Sequence, residues 1–87
     1  MPKRVLITGT STGFGRDAAE RLARRGDQVF AAMRDVEERN AKHREALERL
    51  ATQEGLRLRV LALDVTDQAS VDSAVAVALA EAGGLDV

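Results

Sequence analysis

Three glycines in the stretch "VLITGTSTGFGR" have the spacing of a loop that holds phosphate groups. Gly9, Gly13 and Gly15 follow a short apolar run and precede a segment with helical periodicity. In such a unit the first glycine makes the tight turn after the strand, another lets the backbone approach a pyrophosphate, and another lets the helix pack against the strand. The unpaired N–H groups at the helix start, together with the helix dipole, then point at the phosphates. We therefore expect anion binding by the backbone itself, which requires no charged side chain.

The elements that would position this loop alternate along the chain. Three apolar runs predict strands at Arg4–Thr8, Gln28–Met33 and Leu56–Leu63. Helical periodicity follows each run: after Gly15, from Val36 onward, and after a cap at Thr66 or Asp67. We expect the first strand to be buried on both faces. The order βαβαβα predicts an α/β fold in one domain, 1–87, with helices packed on a three-stranded parallel sheet.

Composition excludes several classes of function. The 87 residues carry 13 basic and 14 acidic side chains, so there is no basic surface for nucleic acid. The chain has no cysteine and one histidine, which leaves zinc without its usual ligands, and we predict no metal site. The first residues, "MPKRVLITG", are too short an apolar run for a signal peptide or a membrane span. We therefore expect a cytoplasmic protein without membrane or nucleic-acid partners.

Three motifs in order resemble the short-chain dehydrogenase/reductase family. "TGTSTGFG" resembles the cofactor loop of that family, "LDVTD" the segment after its third strand, and "GGLDV" the approach to its fourth strand. The resemblance covers the whole chain. It implies a partial Rossmann-like βαβαβα unit with strand order 3-2-1, truncated before the fourth strand. It also implies a dinucleotide cofactor.

The choice between NADP and NAD depends on the end of the second strand. NAD-binding proteins carry an acidic residue there, and an arginine nearby accommodates the 2′-phosphate of NADP. By resemblance Met33 occupies the position of the acid, and Arg34 follows it. NADP is therefore favoured over NAD. Asp35 is the competing feature, because its carboxylate would oppose the phosphate if the register were shifted.

The remaining candidates lie in the loops after the first and third strands. Ser11 and Thr12 could donate hydroxyl hydrogen bonds to the 2′-phosphate. Phe14 is interpreted as a hydrophobic plug under the first helix. Asp64 either caps the turn that follows it or binds the adenine amino group, and the resemblance favours the second role. The predicted cofactor-binding residues are Gly9, Ser11, Thr12, Gly13, Phe14, Gly15, Met33, Arg34, Asp64 and Val65.

No catalytic residue can be assigned. The family's proton transfer uses a Tyr-x-x-x-Lys pair and a serine, and this sequence contains no tyrosine. We interpret the chain as the NADP(H)-binding segment of an oxidoreductase that transfers hydride between the cofactor and a carbonyl or alcohol. A catalytically inert Rossmann fragment that at most binds nucleotide is the alternative. A methyltransferase fragment that binds S-adenosylmethionine is disfavoured, because those enzymes usually carry an acid where Met33 stands.

The first strand also predicts self-association. The run Val5–Thr8 is apolar and has no proline or inward charge to protect it. In the family's strand order, the fourth strand would lie beside it. Without that neighbour the run is an open sheet edge, and we expect it to pair with a second copy of the chain.

Overall fold

The computed structural model describes residues 3–11, 13–34 and 36–85. Its elements are β1 (Arg4–Ile7), α1 (Gly13–Arg24), β2 (Gln28–Met33), α2 (Ala41–Glu54), β3 (Leu58–Ala62) and α3 (Gln68–Ala82). The predicted α/β class and the βαβαβα order are confirmed. Among the helices so described, none combines the length and apolarity that crossing a membrane requires.

The three strands form one parallel sheet in the order β1-β2-β3, which is 3-2-1 when read from the other edge. Val29 of the central strand β2 pairs with Val5 of β1 on one side and with Leu58 of β3 on the other. Because all three strands run the same way, their carboxyl ends meet at one edge of the sheet. The loops after the strands are therefore neighbours in space.

Helices cover both faces of the sheet, which explains the continuously apolar sequence of β2. Val29, Ala31 and Met33 point to one face, while Phe30 and Ala32 point to the other. The first face packs against Ala19, Ala23, Leu47 and Ala51 of α1 and α2, and the second packs against Ala74 and Ala78 of α3. A strand buried on both faces needs no polar alternation, since neither face meets water.

Helix α2 begins later than its charge pattern predicts. The periodicity suggested a helix from Val36, but residues 36–40 form turns and the helix starts at Ala41. The side chain of Asn40 donates from Nδ2 to the backbone oxygen of Arg34, at 2.6 Å. Asparagine side chains that bond nearby backbone groups compete with helix formation, so the turn persists up to Asn40.

Strand β1 is less buried than predicted. The expected strand ran to Thr8 with both faces covered, whereas β1 ends at Ile7 and only Val5 within it is fully buried. Leu6 packs against the α3 side of the sheet and Ile7 against the other side, each half-buried. The difference arises because β1 lies at the edge of the described sheet, where one flank of each side chain has no neighbouring strand.

Candidate functional site

A cavity of about 390 Å³ opens at the carboxyl edge of the sheet. It is lined by Thr8, Gly9 and Ser11 after β1, by Met33, Arg34, Arg39 and Asn40 after β2, and by Leu63 and Val65 after β3. In open α/β sheets, ligands bind in a crevice outside the carboxyl ends of the strands. The cavity therefore lies where such a sheet accepts a ligand.

The glycine loop adopts backbone conformations that other residues rarely accept. Gly9 and Gly13 have φ angles of +64° and +66°. A β-carbon on Gly15 would lie 2.8 Å from the carbonyl carbon of Gly9, closer still to its oxygen, and 3.2 Å from the oxygen of Thr8. Helix α1 can thus approach the end of β1 only because residue 15 has no side chain. This is the packing expected of the third glycine.

The start of α1 lies directly after the loop. The helix begins at Gly13, three residues before the predicted start at Arg16, and its first turn contains no acidic side chain. The first N–H groups of a helix have no partner within it and carry the positive end of its dipole. This end of α1 can therefore accept an anion without repulsion from its own first turn.

Phe14 does not form the predicted plug. Its side chain is 94% exposed, so the interpretation that it fills the space beneath α1 is wrong. The helix packs through Ala19 and Ala23 instead, whose small side chains lie flat on the sheet. With Gly15 allowing close approach, no space remains beneath the helix for a phenyl ring.

Thr10 is a structural residue of the loop that sequence reasoning missed. It is completely buried, and both its backbone N–H and its Oγ1 donate to the carbonyl oxygen of Ala32, at 3.1 and 2.9 Å. These bonds join the glycine loop to the end of β2. A threonine beside a glycine gives little indication of a buried role, because the hydroxyl of a loop residue usually bonds to water. The acceptor of the Thr10 hydroxyl becomes known only once the strands are paired.

The end of β2 presents one apolar and one cationic residue. The side chain of Met33 is buried in the core against α1 and α2, although the residue also lines the cavity. Arg34 is exposed at the rim, and its backbone oxygen accepts the hydrogen bond from Asn40. Arg39 and Asn40, which also line the cavity, were not predicted, because the expected helix would have carried them away from the sheet.

Asp64 organises the loop after β3. Its Oδ1 accepts from the backbone N–H and the Oγ1 of Thr66, at 2.9 and 2.7 Å, and its own N–H donates to Oγ of Ser70 at 2.9 Å. The turn-capping role is thus observed. The two bonds from Thr66, and to a smaller extent the positive charge of Arg34, lower the pKa of the Asp64 carboxyl. The group is ionised at neutral pH.

The structure brings most of the predicted residues to one place. Gly9, Ser11, Met33, Arg34 and Val65 share the cavity. Gly13, Phe14 and Gly15 form the adjoining start of α1, and Asp64 precedes Val65 in the loop after β3. The expectations for Thr12 and Asp35 fall on residues outside the described part of the chain, as does the end of "GGLDV".

Comparison with known proteins supplies the family. A sequence model described as short chain dehydrogenase matches residues 3–87. The chain belongs to the short chain dehydrogenase family. Its fold and its glycine loop agree with this assignment, which removes the methyltransferase alternative.

Similar dehydrogenases come from several bacteria. The sorbitol dehydrogenase of Cereibacter sphaeroides is 40% identical over 85 residues, which are 98% of this chain and 30% of that protein. A short-chain dehydrogenase of Streptomyces avermitilis superposes with a TM-score of 0.80 at 36% identity, covering 99% of this chain and 29% of the other. A short chain dehydrogenase of Burkholderia cenocepacia, solved in complex with NADP, has a TM-score of 0.74 at 34% identity, covering 97% and 33%. The chain thus spans about a third of the length of these short chain dehydrogenases.

Proposed function

We propose that this chain binds NADP(H), and that it does so as part of an oxidoreductase that transfers hydride between the cofactor and a carbonyl or alcohol. Gly9, Gly13 and the start of α1 would hold the diphosphate. Ser11 and Arg34 would hold the 2′-phosphate of the adenosine ribose. The nicotinamide supplies the hydride chemistry when the cofactor is bound, and the role of the residues here is to bind and orient its adenosine end.

The residues present fit such a cofactor. Within the described part of the chain, a β-carbon added at Gly9 or Gly13 would meet no atom within 4 Å, so the backbone is open to a ligand there. Backbone N–H groups at a helix start suit a diphosphate, which needs several donors at once. The adjoining cavity, with its apolar wall of Met33, Leu63 and Val65, suits the adenosine.

The proposed preference for NADP rests on the position of Arg34. It stands exposed at the cavity rim, directly after β2, and a guanidinium can form two parallel hydrogen bonds to a phosphate. The residue before it, Met33, is apolar and buried, so it offers no carboxylate to bind the ribose hydroxyls of NAD. The NADP complex of the Burkholderia cenocepacia relative supports the same choice.

Titration calorimetry with NADPH and NADH tests this proposal. Arg34→Ala should weaken NADPH binding by about 1.5–3 kcal/mol, the usual effect of losing a charge-assisted contact, and leave NADH binding unchanged. Arg49→Ala, which removes an exposed arginine from the middle of α2, is the matched control and should change neither. Equal losses for both cofactors would refute the assignment of Arg34. Absence of binding by the unaltered chain would favour the inert alternative.

A further inference from the structure

The loop between β3 and α3 holds Asp64 by three of its four polar groups. The N–H of Asp64 donates to Oγ of Ser70 at 2.9 Å, and its backbone oxygen accepts from the N–H of Asp67 at 3.0 Å. Its Oδ1 accepts from the N–H and the Oγ1 of Thr66, at 2.9 and 2.7 Å. Within the described part of the chain, no hydrogen bond ends on Oδ2. This oxygen is therefore left to accept from a ligand.

Ser70 can make its contact because another residue caps α3. A serine in the first turn of a helix often bonds to nearby backbone groups. Here Asp67 precedes the helix, and its carboxylate accepts from the N–H of Ala69 at 3.1 Å. The hydroxyl of Ser70 instead accepts from Asp64 and ties the loop after β3 to the first turn of α3. The position of Asp64 thus depends on a helix and not on the loop alone.

Asp64 stands beside the cavity. Its chain neighbours, Leu63 and Val65, both line that cavity. The bonds from Thr66, and after them the charge of Arg34 at the cavity rim, lower the pKa of the Asp64 carboxyl. An ionised carboxylate accepts hydrogen bonds and donates none. It therefore favours a base that presents a donor, as the amino group of adenine does, over a base that presents an oxygen at the same place.

We infer that Ser70 is the positioning residue of adenine recognition: it holds Asp64 so that Oδ2 accepts from the 6-amino group of the base, while Thr66 fixes the plane of the carboxylate. The inference rests on the proposed binding of NADP(H) and extends it to a residue of α3 that none of the motifs indicated. The sequence leaves two roles open for Asp64, capping the turn and binding the base. The two roles form one arrangement, because each uses a different oxygen.

NADPH and its hypoxanthine analogue are suitable probes, because they differ only at the edge of the base, where an oxygen replaces the 6-amino group. Titration calorimetry should show that the unaltered chain binds NADPH about tenfold more tightly, the usual effect of one hydrogen bond to a charged group. Ser70→Ala should remove most of this preference by weakening NADPH, and Ser70→Thr, which keeps the hydroxyl, should retain it. Ser73→Ala, at an exposed serine of the same helix, is the matched control and should alter neither affinity.

A double-mutant cycle with Asp64→Asn separates positioning from a general effect on the fold. Ser70→Ala should lower the preference in the otherwise unaltered chain and have no further effect on it in the Asp64→Asn background, because its action passes through the carboxylate. Thr66→Val removes an exposed hydroxyl donor and keeps the backbone donor, so it should lower the preference as well, even if Ser70→Ala does not fold. A merely structural role of Ser70 would weaken both dinucleotides equally and would refute the positioning role.

Loss of adenine recognition and loss of nucleotide binding give different results. If the unaltered chain binds neither dinucleotide, the proposed function is wrong and the role of Ser70 is overturned with it. If the chain binds both with equal affinity, adenine recognition by Asp64 is overturned, while dinucleotide binding stands. If the chain prefers NADPH, but Ser70→Ala and Thr66→Val both stay within about twofold of that preference, the positioning role alone is overturned.

Discussion

Gly13 and Gly55 form a matched pair that separates a role in ligand binding from a role in folding. Gly13 starts α1 with φ of +66°, and Gly55 ends α2 with φ of +65°. At both positions an added β-carbon would meet no described atom within 4 Å. Alanine should therefore cost about 1–2 kcal/mol of stability in each case, from the left-handed conformation alone.

The two substitutions should differ only in nucleotide binding. At Gly13 the new methyl group would occupy the space from which a diphosphate must approach the start of α1. The contact resembles overpacking, which costs about 1–3 kcal/mol, so Gly13→Ala should weaken NADPH binding about 5- to 150-fold. Gly55 caps the end of α2 in the turn that leads into β3, and it does not line the cavity. Gly55→Ala should therefore leave the affinity for NADPH unchanged.

Urea unfolding and titration calorimetry on the same protein samples measure both quantities. The expected result is a similar loss of unfolding free energy in the two variants, with weaker binding in Gly13→Ala alone. Equal affinities in the two variants would refute the reasoning, because the backbone at Gly13 would then not face the ligand. A much larger stability loss at Gly13 would mean that its methyl group meets protein atoms rather than open space.

Three further substitutions test other contacts of the fold, two of them beside the site. Gly15→Ala should lower the unfolding free energy by about 1–3 kcal/mol, because the new β-carbon overlaps the backbone of Gly9 and α1 must shift to make room; urea unfolding measures it, and an unchanged midpoint would contradict it. Thr10→Val should destabilise the chain by about 0.5–1.5 kcal/mol and weaken NADPH binding, because the oxygen of Ala32 keeps the backbone N–H donor but loses the hydroxyl donor, whereas Thr10→Ser should keep both properties. Asp27→Asn should remove a pH dependence: the backbone N–H of Lys3, and then the side chain of Arg25, lower the pKa of the folded carboxyl. The stability that this provides is present above the unfolded pKa and is lost as the pH falls below about 4, so thermal unfolding midpoints of the two proteins should converge in acid.

The strands and helices whose apolar residues form the core could be predicted from the sequence almost to the residue. Strand β2 was predicted with its observed bounds, because both faces are covered and the apolar run stops where the cover stops. The cap of α3 at Asp67 was one of two predicted choices, and its carboxylate accepts from the N–H of Ala69. In these cases the signal is local, since a cap or an apolar run is sufficient to decide the outcome.

The expectations that failed depend on contacts that the local sequence pattern does not show. The charged run from Val36 fits a helix by its i,i+4 spacing, yet the bond from Asn40 back to Arg34 holds it in a turn. Thr10 bonds to Ala32, 22 residues away, so its burial follows from the pairing of β1 with β2 rather than from its neighbours in sequence. Phe14 is exposed because alanines supply the contact that a large apolar side chain was expected to make. The position of Arg39 at the cavity results from the same turn, which residues 36–40 form.

Self-association through β1 is the final prediction, and the strand register specifies where to test it. Among the described strands, β1 is hydrogen-bonded to β2 alone. The N–H of Gln28 donates to the oxygen of Lys3, so by the alternation of a parallel ladder Lys3, Val5 and Ile7 direct their backbone groups toward β2. The N–H of Leu6 then points to the open edge. Such edges pair with other chains, and a two-fold axis beside β1 would join two copies as an antiparallel pair.

Replacing Leu6 by N-methylleucine removes this outward N–H and blocks approach at the edge, while the side chain that packs toward α3 is retained. Sedimentation velocity over a range of concentrations should show a dimer for the unaltered 87-residue chain and a monomer for the methylated one. The same modification at Val5, whose N–H faces β2, should unfold the sheet and is the control for the register. A compact monomer of the unaltered chain at every concentration would overturn the prediction, and a dimer that survives methylation of Leu6 would exclude β1 as its interface. The side chain at position 6 is the same in both proteins, so a difference in assembly can be assigned to the backbone of the edge rather than to a loss of core packing.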